Sequence, residues 1–245
     1  MLHTENRGGN MIKEKIKIDG IPAVIWGEQS KKCYIAVHGN MSNKEDTVIE
    51  ILAEEATKAG YQVVSFDLPE HGERKDDKTY LCKVQNCVKD LEKIIEYVKA
   101  RYDEINIFAC SMGAYFSLMA YKNEQIKRCF FLSPVVNMKK IIDNMMQWAN
   151  VSEKDLEEQK EIKTNFGQVL YWDYYVYVKE HPVTTLDKET HILYGSNDNM
   201  QTEDTIKDFA NKFNASLDIL DGGEHYFHTK EQLEYYKTWL SKNLC

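Results

Sequence analysis

The chain alternates between short apolar runs and longer segments in which apolar residues recur every three or four positions. The short runs predict β-strands and the longer segments predict amphipathic helices. The expected strands cover residues 12–19, 21–27, 33–39, 61–69, 105–110, 128–136, 191–198 and 216–220. The expected helices cover residues 46–59, 84–102, 112–122, 203–213 and 230–242.

The two N-terminal strands differ in pattern from those that follow. Residues 12–19 alternate apolar and polar side chains, and Gly20 separates them from residues 21–27, which predicts a β-hairpin with one solvated face. Residues 33–39 are continuously apolar, as in a strand buried on both faces of a sheet. The later strands and helices alternate with short connections, which indicates an α/β fold with a mostly parallel sheet covered by helices on both faces.

This alternation is interrupted between residues 137 and 190. That segment is helix-like and dense in aromatic side chains, namely Trp148, Phe166, Tyr171, Trp172, Tyr174, Tyr175 and Tyr177. No linker rich in Gly, Pro or Ser separates it from its surroundings. We therefore predict a core formed by residues 12–136 and 191–245, an insertion at residues 137–190, and a flexible leader at residues 1–11.

Composition and charge exclude several classes of function. The net charge of −8 disfavours binding to a phosphate backbone, so no nucleic-acid partner is expected. No apolar run is long enough to span a membrane, and the polar N-terminus lacks the apolar core of a signal peptide. The cysteines have neither metal-ligand spacing nor a disulfide framework, which is typical of reduced thiols in a soluble, cytoplasmic protein. They are Cys33, Cys82, Cys87, Cys110, Cys129 and Cys245.

One strand-to-helix junction carries candidate chemistry. Ser111 follows the strand at residues 105–110 directly and precedes a helix that begins near Met112. Ala109 and Gly113 stand two positions before and after the serine, and small residues are needed there for a sharp turn that exposes Oγ. This pattern predicts a nucleophile elbow with Ser111 at its tip.

A serine nucleophile needs a base and a group that orients the base. Asp198 and His225 follow two later strands, and the carboxyl ends of parallel strands meet at one edge of a sheet. We therefore expect Ser111, Asp198 and His225 to meet there. Asp198 could instead cap the next helix, although Thr202 is better placed to do so. His228 competes with His225 as the base, while His181 and His191 are interpreted as structural.

The loop after the strand at residues 33–39 is the expected source of a second oxyanion donor. Gly39 permits an unusual backbone turn, which would direct the amide of Asn40 toward the amide of Met112. His38 is interpreted as a hydrogen-bonding support for this loop. The turn at His71 and Gly72 is expected beside the pocket. Its neighbours are expected to form salt bridges and turn contacts rather than to recognise substrate; they are Asp67, Glu70, Glu73 and Arg74.

Five ordered motifs together resemble the α/β-hydrolase superfamily, in the branch of small carboxylesterases, monoacylglycerol lipases, cinnamoyl and feruloyl esterases and S33-type peptidases. They are residues 38–40 (HGN), 67–72 (DLPEHG), 109–113 (ACSMG), 194–198 (YGSND) and 222–225 (GGEH). The resemblance implies an eight-stranded, mostly parallel sheet, a Ser–Asp–His triad and a helical cap after the sixth strand. Residues 137–190 stand where that cap belongs. Ala109 departs from the usual glycine, and Asn40 stands where many relatives carry an aromatic residue.

The resemblance favours a serine hydrolase that cleaves a carboxylic ester of a small or medium acyl group. Hydrolysis of a thioester, an amide or peptide, or a C–C bond remains an alternative, as does a non-catalytic scaffold that only binds. No metal or organic cofactor is implied, and the expected partner is a small acyl substrate. Trp148 and Trp172 are candidates to line the pocket entrance. The natural ester and the oligomeric state stay open.

Overall fold

The computed structural model describes residues 11–244. The leader expected at residues 1–11 lies outside the described residues except for Met11, as does Cys245. At the N-terminus, β1 (Lys13–Ile18) and β2 (Ile21–Trp26) form the expected antiparallel hairpin. Asp19 and Gly20 both have positive φ angles, 48° and 81°, and this backbone is typical of a two-residue hairpin turn.

The other elements follow the order that the apolar pattern predicts. The further strands of the main sheet are β3 (Lys32–Val37), β4 (Gln62–Phe66), β5 (Glu104–Cys110), β6 (Arg128–Leu132), β9 (Glu189–Gly195) and β10 (Ser216–Leu220). The helices outside the aromatic segment are α1 (Thr47–Lys58), α2 (Val84–Lys99), α3 (Met112–Ala120), α7 (Glu203–Phe213) and α8 (Lys230–Asn243). Each predicted boundary lies within three residues of the observed one, except that β6 ends at Leu132 rather than at residue 136.

The main sheet has eight strands in the order β1-β2-β4-β3-β5-β6-β9-β10. The pairings from β4 to β10 are all parallel, and the two pairings of β2 are antiparallel. This arrangement confirms the predicted α/β fold with a mostly parallel sheet. It also places the carboxyl ends of β3, β5, β6, β9 and β10 at one edge.

Helices cover both faces of the sheet, so the strands are buried on each side. On one face α1 and α8 pack over side chains such as Tyr34, Phe108 and Phe130. On the other face α2, α3 and α7 pack over side chains such as Ile35 and Ile107. Burial of these apolar faces is the main stabilising contribution, at roughly 25 cal/mol for each Å² removed from water.

The segment between β6 and β9 is not wholly helical, which corrects the sequence prediction. It contains α4 (Met138–Trp148), α5 (Glu153–Gln159), the antiparallel pair β7 (Glu161–Lys163) and β8 (Val169–Tyr171), and α6 (Trp172–Glu180). The hairpin turn includes Gly167, at φ 85°, and is closed by the amide and hydroxyl of Thr164, which both donate to the carbonyl of Gln168. Strands of three residues are too short for periodicity to reveal them.

Within residues 11–244, no helix combines the length and the apolar character needed to cross a membrane. The same residues contain no group of three or more His, Cys, Asp or Glu side chains placed to hold a metal ion.

Candidate active site

Ser111 occupies a strained turn between β5 and α3. Its φ and ψ are 51° and −122°, a region that non-glycine residues rarely adopt. The turn is fixed on both sides, because the Ser111 amide donates to the carbonyl of Leu132 and the Ser111 carbonyl accepts from the amides of Ala114 and Val135. Such strain persists only where the surrounding structure imposes it. The result is a serine side chain raised above the carboxyl edge of the sheet.

Small residues are needed around Ser111 because the start of α3 lies very close to the backbone at the end of β3. A Cβ atom at Gly113 would lie 2.5 Å from the carbonyl oxygen of His38 and 2.8 Å from that of Val37. Any larger residue would push α3 away from β3. Ala109 is fully buried within β5, so its single methyl group is accommodated where the motif usually has glycine.

Ser111, His225 and Asp198 form one hydrogen-bonded chain. The Oγ atom of Ser111 lies 2.8 Å from Nε2 of His225, and Nδ1 of His225 lies 2.7 Å from Oδ2 of Asp198. With Nδ1 donating to the carboxylate, Nε2 is free to accept the serine proton. The side chain of Asp198 is 1% exposed and that of His225 19%, so the carboxylate is shielded while the imidazole borders the site. The structure thus brings together all three residues predicted from the sequence.

The loops that carry Asp198 and His225 are held together by two glycines. A Cβ atom at Gly195, the last residue of β9, would lie 2.4 Å from the carbonyl of Gly223. The Asn197 amide donates to that same carbonyl at 2.8 Å. Gly222, at φ 70°, turns the chain after β10. These contacts set the distance between the acid and the base across 27 residues of sequence.

Asp198 is held by its own loop as well as by His225. Its Oδ1 atom accepts from the amide of Met200 at 2.8 Å, which leaves Oδ2 for the imidazole. The cap of α7 is Thr202, whose side chain accepts from the amide of Thr205. The cap of α7 is therefore Thr202 and not Asp198.

The other histidines considered from the sequence form hydrogen bonds and ring contacts with neighbouring residues rather than with Ser111. The Nδ1 atom of His228 donates to the carbonyl of Tyr226, and its ring stacks on that tyrosine. His181 donates to the carbonyl of Tyr177, and His191 contacts Glu189 and stacks on Phe130. His225 is the histidine that contacts Ser111.

Asn40 and Met112 are the residues that the sequence predicts as oxyanion donors. Met112 is the first residue of α3, where backbone N–H groups point outward and the helix dipole favours negative charge. Within the part of the chain that the structure describes, neither amide donates to a protein acceptor. Both residues line the cavity that also contains Ser111. Both amides are therefore without a protein acceptor at residues that line the cavity together with Ser111.

Gly39 acts through its size, which corrects the expected reason for its presence. Its φ is not in the left-handed region; the positive φ in this loop, 57°, belongs to Met41. A Cβ atom at Gly39 would lie 3.1 Å from Cβ of Ser111. Glycine thus lets the loop approach the serine closely.

His38 supports this loop, as predicted. The side chain is completely buried; Nδ1 donates to the carbonyl of Gly39 at 2.7 Å, and Nε2 accepts from the amide of Leu68 at 3.1 Å. Burial lowers the pKa of His38 from 6.5 to about 4, so the ring is neutral near pH 7. The neutral tautomer that carries its proton on Nδ1 makes both hydrogen bonds.

The charged residues near His71 form the expected network of ion pairs. The buried Lys44 ammonium lies 2.7 Å from Asp67 and 2.8 Å from Glu73. The remaining pairs are Arg74 with Asp90 and Glu70 with Lys78. Gly72 completes the tight turn, because a Cβ atom there would overlap the Asp67 carboxylate.

A cavity of about 470 Å³ opens over Ser111. One wall is a face of α4 that presents Met138, Ile141, Ile142 and Met145. Residues 167–171 and Tyr174 of α6 form a further part of the wall. Polar groups collect near the loop that carries Asn40, where His71 and Glu70 also line the cavity.

Neither tryptophan expected at the entrance lies in this cavity. Trp148 is 65% exposed and packs edge-on against Phe166, while Trp172 packs against Tyr175. The aromatic residues that line the cavity are Tyr171 and Tyr174. The density of aromatic residues thus identified a segment that lines the cavity, but not which of its side chains do so.

Sequence reasoning missed the α4 wall, although a signal for it was present. Positions 138, 141, 142 and 145 follow the spacing of one helical face. It also missed that the side chain of Asn40 contacts His71, with Oδ1 and Nε2 3.3 Å apart. No local pattern predicts that second contact, because the two residues lie 31 positions apart.

A family model described as serine aminopeptidase, S33, matches residues 28–167, which is more than half of the chain. No curated protein matches the sequence.

Similar folds occur among solved structures. Est1E from Butyrivibrio proteoclasticus, solved with ferulic acid bound, is 18% identical with a TM-score of 0.75, over 94% of this chain and 96% of that one. Alpha/beta hydrolase domain-containing protein 10 from mouse is 14% identical with a TM-score of 0.72, over 94% and 97%. An esterase from Pyrococcus furiosus is 18% identical with a TM-score of 0.67, over 95% and 90%. At these identities the likeness shows the fold. Together with the family match, it shows that the chain belongs to the serine aminopeptidase S33 family of α/β hydrolases.

Proposed function

We propose that this hydrolase cleaves the carboxylic ester of a small or medium acyl group through a covalent acyl-enzyme. The observation that carries the proposal is the unbroken chain of hydrogen bonds from Ser111 through His225 to Asp198. An isolated serine hydroxyl is a weak nucleophile. His225 Nε2, 2.8 Å from Oγ, can accept the hydroxyl proton and so make Ser111 more nucleophilic.

In the first stage His225 takes the proton of Ser111 while Oγ attacks the acyl carbonyl. The oxyanion that forms is stabilised by the amides of Met112 and Asn40. The positive imidazolium is stabilised by Asp198, which also fixes the tautomer through Nδ1. The tetrahedral intermediate collapses when His225 gives its proton to the departing alcohol.

In the second stage water replaces the alcohol. His225 removes a proton from that water, which attacks the acyl-enzyme, and the same two amides hold the second oxyanion. Collapse returns the proton to Ser111 and releases the carboxylic acid. Every proton transfer in this scheme passes through one imidazole, and the chain's own residues perform each step.

We further propose that residues 137–190 act as a cap over the acyl group. Within this segment the cavity wall is made mostly of Met, Ile, Val, Leu and Tyr side chains, and such walls suit an apolar group with few polar anchors. A volume of about 470 Å³ suits a small or medium acyl group rather than a large one.

The proposal is tested by measuring hydrolysis of p-nitrophenyl esters of increasing acyl length. The native protein should turn over the shorter esters, and Ser111→Ala should lower kcat by on the order of 10⁶. Ser216→Ala, which removes an exposed hydroxyl at the start of β10, serves as the matched control. Near-normal ester hydrolysis by Ser111→Ala would reject the assignment.

A peptidase is the second candidate, because the matching family is described as serine aminopeptidase. The same triad would then attack an amide, and the leaving group would be an amine. Parallel assays with aminoacyl arylamides separate the two functions, since a peptidase favours the arylamides by kcat/KM and an esterase favours the esters. A scaffold that only binds would hydrolyse neither substrate.

A further inference from the structure

The cavity wall near α2 contains two cysteines in contact. Cys82 lines the cavity just before α2, and Cys87 lies in the second turn of that helix. Their Sγ atoms are 3.6 Å apart, and both are free thiols. Cys87 is fully buried, whereas Cys82 is partly exposed toward the cavity. One thiol of the pair is therefore reachable and the other lies behind it.

The surroundings of Cys82 favour its thiolate. Cys82 immediately precedes the cap residue of α2, where the helix dipole stabilises negative charge. Hydrogen bonding with Cys87, and then with His71, lowers the pKa of the Cys82 thiol, although burial and the nearby Glu70 oppose this. Burial and the negative charge of Cys82 both raise the pKa of Cys87. The two thiols thus differ in reactivity.

The loop before α2 is held in place without using the Cys82 sulfur. The Cys82 amide donates to Glu70 at 2.9 Å, and the Asn86 side chain donates to the carbonyl of Leu81 at 2.9 Å. A disulfide requires the two sulfurs to approach by about 1.5 Å. Because Cys82 lies outside the helix, rotation of its side chain can supply much of that approach while Cys87 stays in α2.

The other described cysteines lack these properties. Burial raises the pKa of both Cys110 and Cys129 to about 12, and it raises that of Cys33 further. Between residues 11 and 244, no second pair of thiols is in contact. The reactive arrangement is therefore specific to Cys82 and Cys87.

We propose that Cys82 and Cys87 form a thiol–disulfide exchange site in the cavity wall, with low-molecular-weight disulfides as its co-substrates. The Cys82 thiolate attacks one sulfur of the small disulfide, which forms a mixed disulfide and releases one small thiolate. That thiolate takes the proton of Cys87. The Cys87 thiolate then attacks Sγ of Cys82 and releases the second small thiolate. Two protein thiols are oxidised to one disulfide, and one small disulfide is reduced to two thiols.

The site also touches the elements around Ser111. His71 lies against Cys82 on one side and contacts the side chain of Asn40 on the other. Oxidation removes the negative sulfur that raises the pKa of His71. The thiol chemistry itself does not depend on the proposed hydrolase activity, so failure of either proposal leaves the other measurable.

The test treats the reduced, full-length protein with hydroxyethyl disulfide, followed by alkylation and tryptic mass mapping. Trypsin cleaves after Lys83, so Cys82 and Cys87 fall in separate peptides. We expect these two peptides to be joined by a disulfide. Cys87→Ser should instead accumulate the mixed disulfide on Cys82, and Cys82→Ser should slow modification of Cys87 at least tenfold. Cys129→Ala, the matched control, should give the joined peptides as the native protein does.

The proposal is overturned if the native protein yields the two peptides separately alkylated while the unfolded protein is oxidised under the same conditions. It is equally overturned if Cys82→Ser and Cys87→Ser react at the same rate. Peptide mapping of the native protein shows whether the Cys82–Cys87 disulfide forms, even where a variant fails to fold.

Discussion

At the scale of single residues, the site depends on a serine held in a backbone conformation that its own preferences disfavour. The φ of 51° at Ser111 is imposed by hydrogen bonds to Leu132 and Val135 and by the close approach of Gly113 to β3. The cost of such a conformation is of order 1–3 kcal/mol and is offset by the surrounding packing. The hydroxyl is thus set in position before substrate arrives.

Asp198→Asn tests the role of the carboxylate. The amide keeps the size of the side chain but no longer enforces the imidazole tautomer or stabilises the imidazolium. We expect kcat for ester hydrolysis to fall by on the order of 10⁴ with little change in KM. Asp221→Asn, in the loop that carries His225, should keep the native rate. Equal rates for both variants would contradict the assignment.

His38 makes folding stability depend on pH. Burial lowers its pKa to about 4 in the folded protein from the ordinary 6.5, so the unfolded chain binds the proton first. The free energy of unfolding should therefore fall as the pH drops from about 6.5 to about 4, by up to about 3 kcal/mol from this residue.

Urea unfolding of the native protein and of His38→Gln across that pH range measures this contribution. The variant should be less stable near neutral pH and should lose less stability on acidification. Parallel pH profiles for the two proteins would show that His38 is not the residue responsible.

The sequence predicted the positions of residues that follow recognisable strands. It did not predict which side chains line the cavity, because tertiary contacts determine their orientation. Ser111, Asp198 and His225 were predictable, because each follows a recognisable strand and the topology of parallel sheets brings strand ends together. Trp148 and Trp172 were not, because side chains on one short segment can face the cavity or solvent with the same local pattern.

At the scale of elements, α4 determines the shape of the cavity. Its apolar face presents Met138, Ile141, Ile142 and Met145 to the cavity, while Lys140 and Gln147 are exposed. The turn before β8 and β8 itself, residues 167–171, also line the cavity. Strand and helix order were predictable from periodicity, but the hairpin was not, since three-residue strands fall below the length that the pattern resolves.

Met145→Trp tests whether α4 limits the length of the acyl chain that the cavity accepts. The larger ring should reduce the volume of the cavity, so kcat/KM should fall at least tenfold for medium-chain p-nitrophenyl esters and stay within a few-fold for the acetate. Gln147→Trp adds the same ring on the exposed side of α4 and should leave this preference unchanged. An identical acyl-length profile for both variants would exclude α4 as the limiting wall.

At the scale of the whole molecule, one buried side chain joins the Asp198 loop to the start of α4. Oε1 of Gln201 accepts from the amides of Val136 and Asn137 at 3.0 and 2.9 Å, and Nε2 donates to the carbonyl of Asn137. Gln201 is 4% exposed. The loop that orients the base and the segment that covers the cavity are thereby connected.

Gln201→Leu should break this connection. The amide of the buried residue Val136 would be left without an acceptor, so we expect the free energy of unfolding to fall by about 1–3 kcal/mol. Turnover should fall as well, because the Asp198 loop loses its anchor. Gln125→Leu, at an exposed position, should change stability by no more than about 0.5 kcal/mol. Urea unfolding and ester hydrolysis measure the two effects, and an unchanged stability of Gln201→Leu would contradict this role.

We expect Ser111 to be unusually reactive because His225 can accept its proton. The most direct measurement is labelling of the native protein with a fluorophosphonate, followed by mass mapping of the modified peptide. We predict a single adduct on Ser111, formed quickly in the native protein and lost in both Ser111→Ala and His225→Ala. An adduct on another residue, or an unlabelled Ser111 in a protein that hydrolyses esters, would contradict the assignment of Ser111 as the nucleophile.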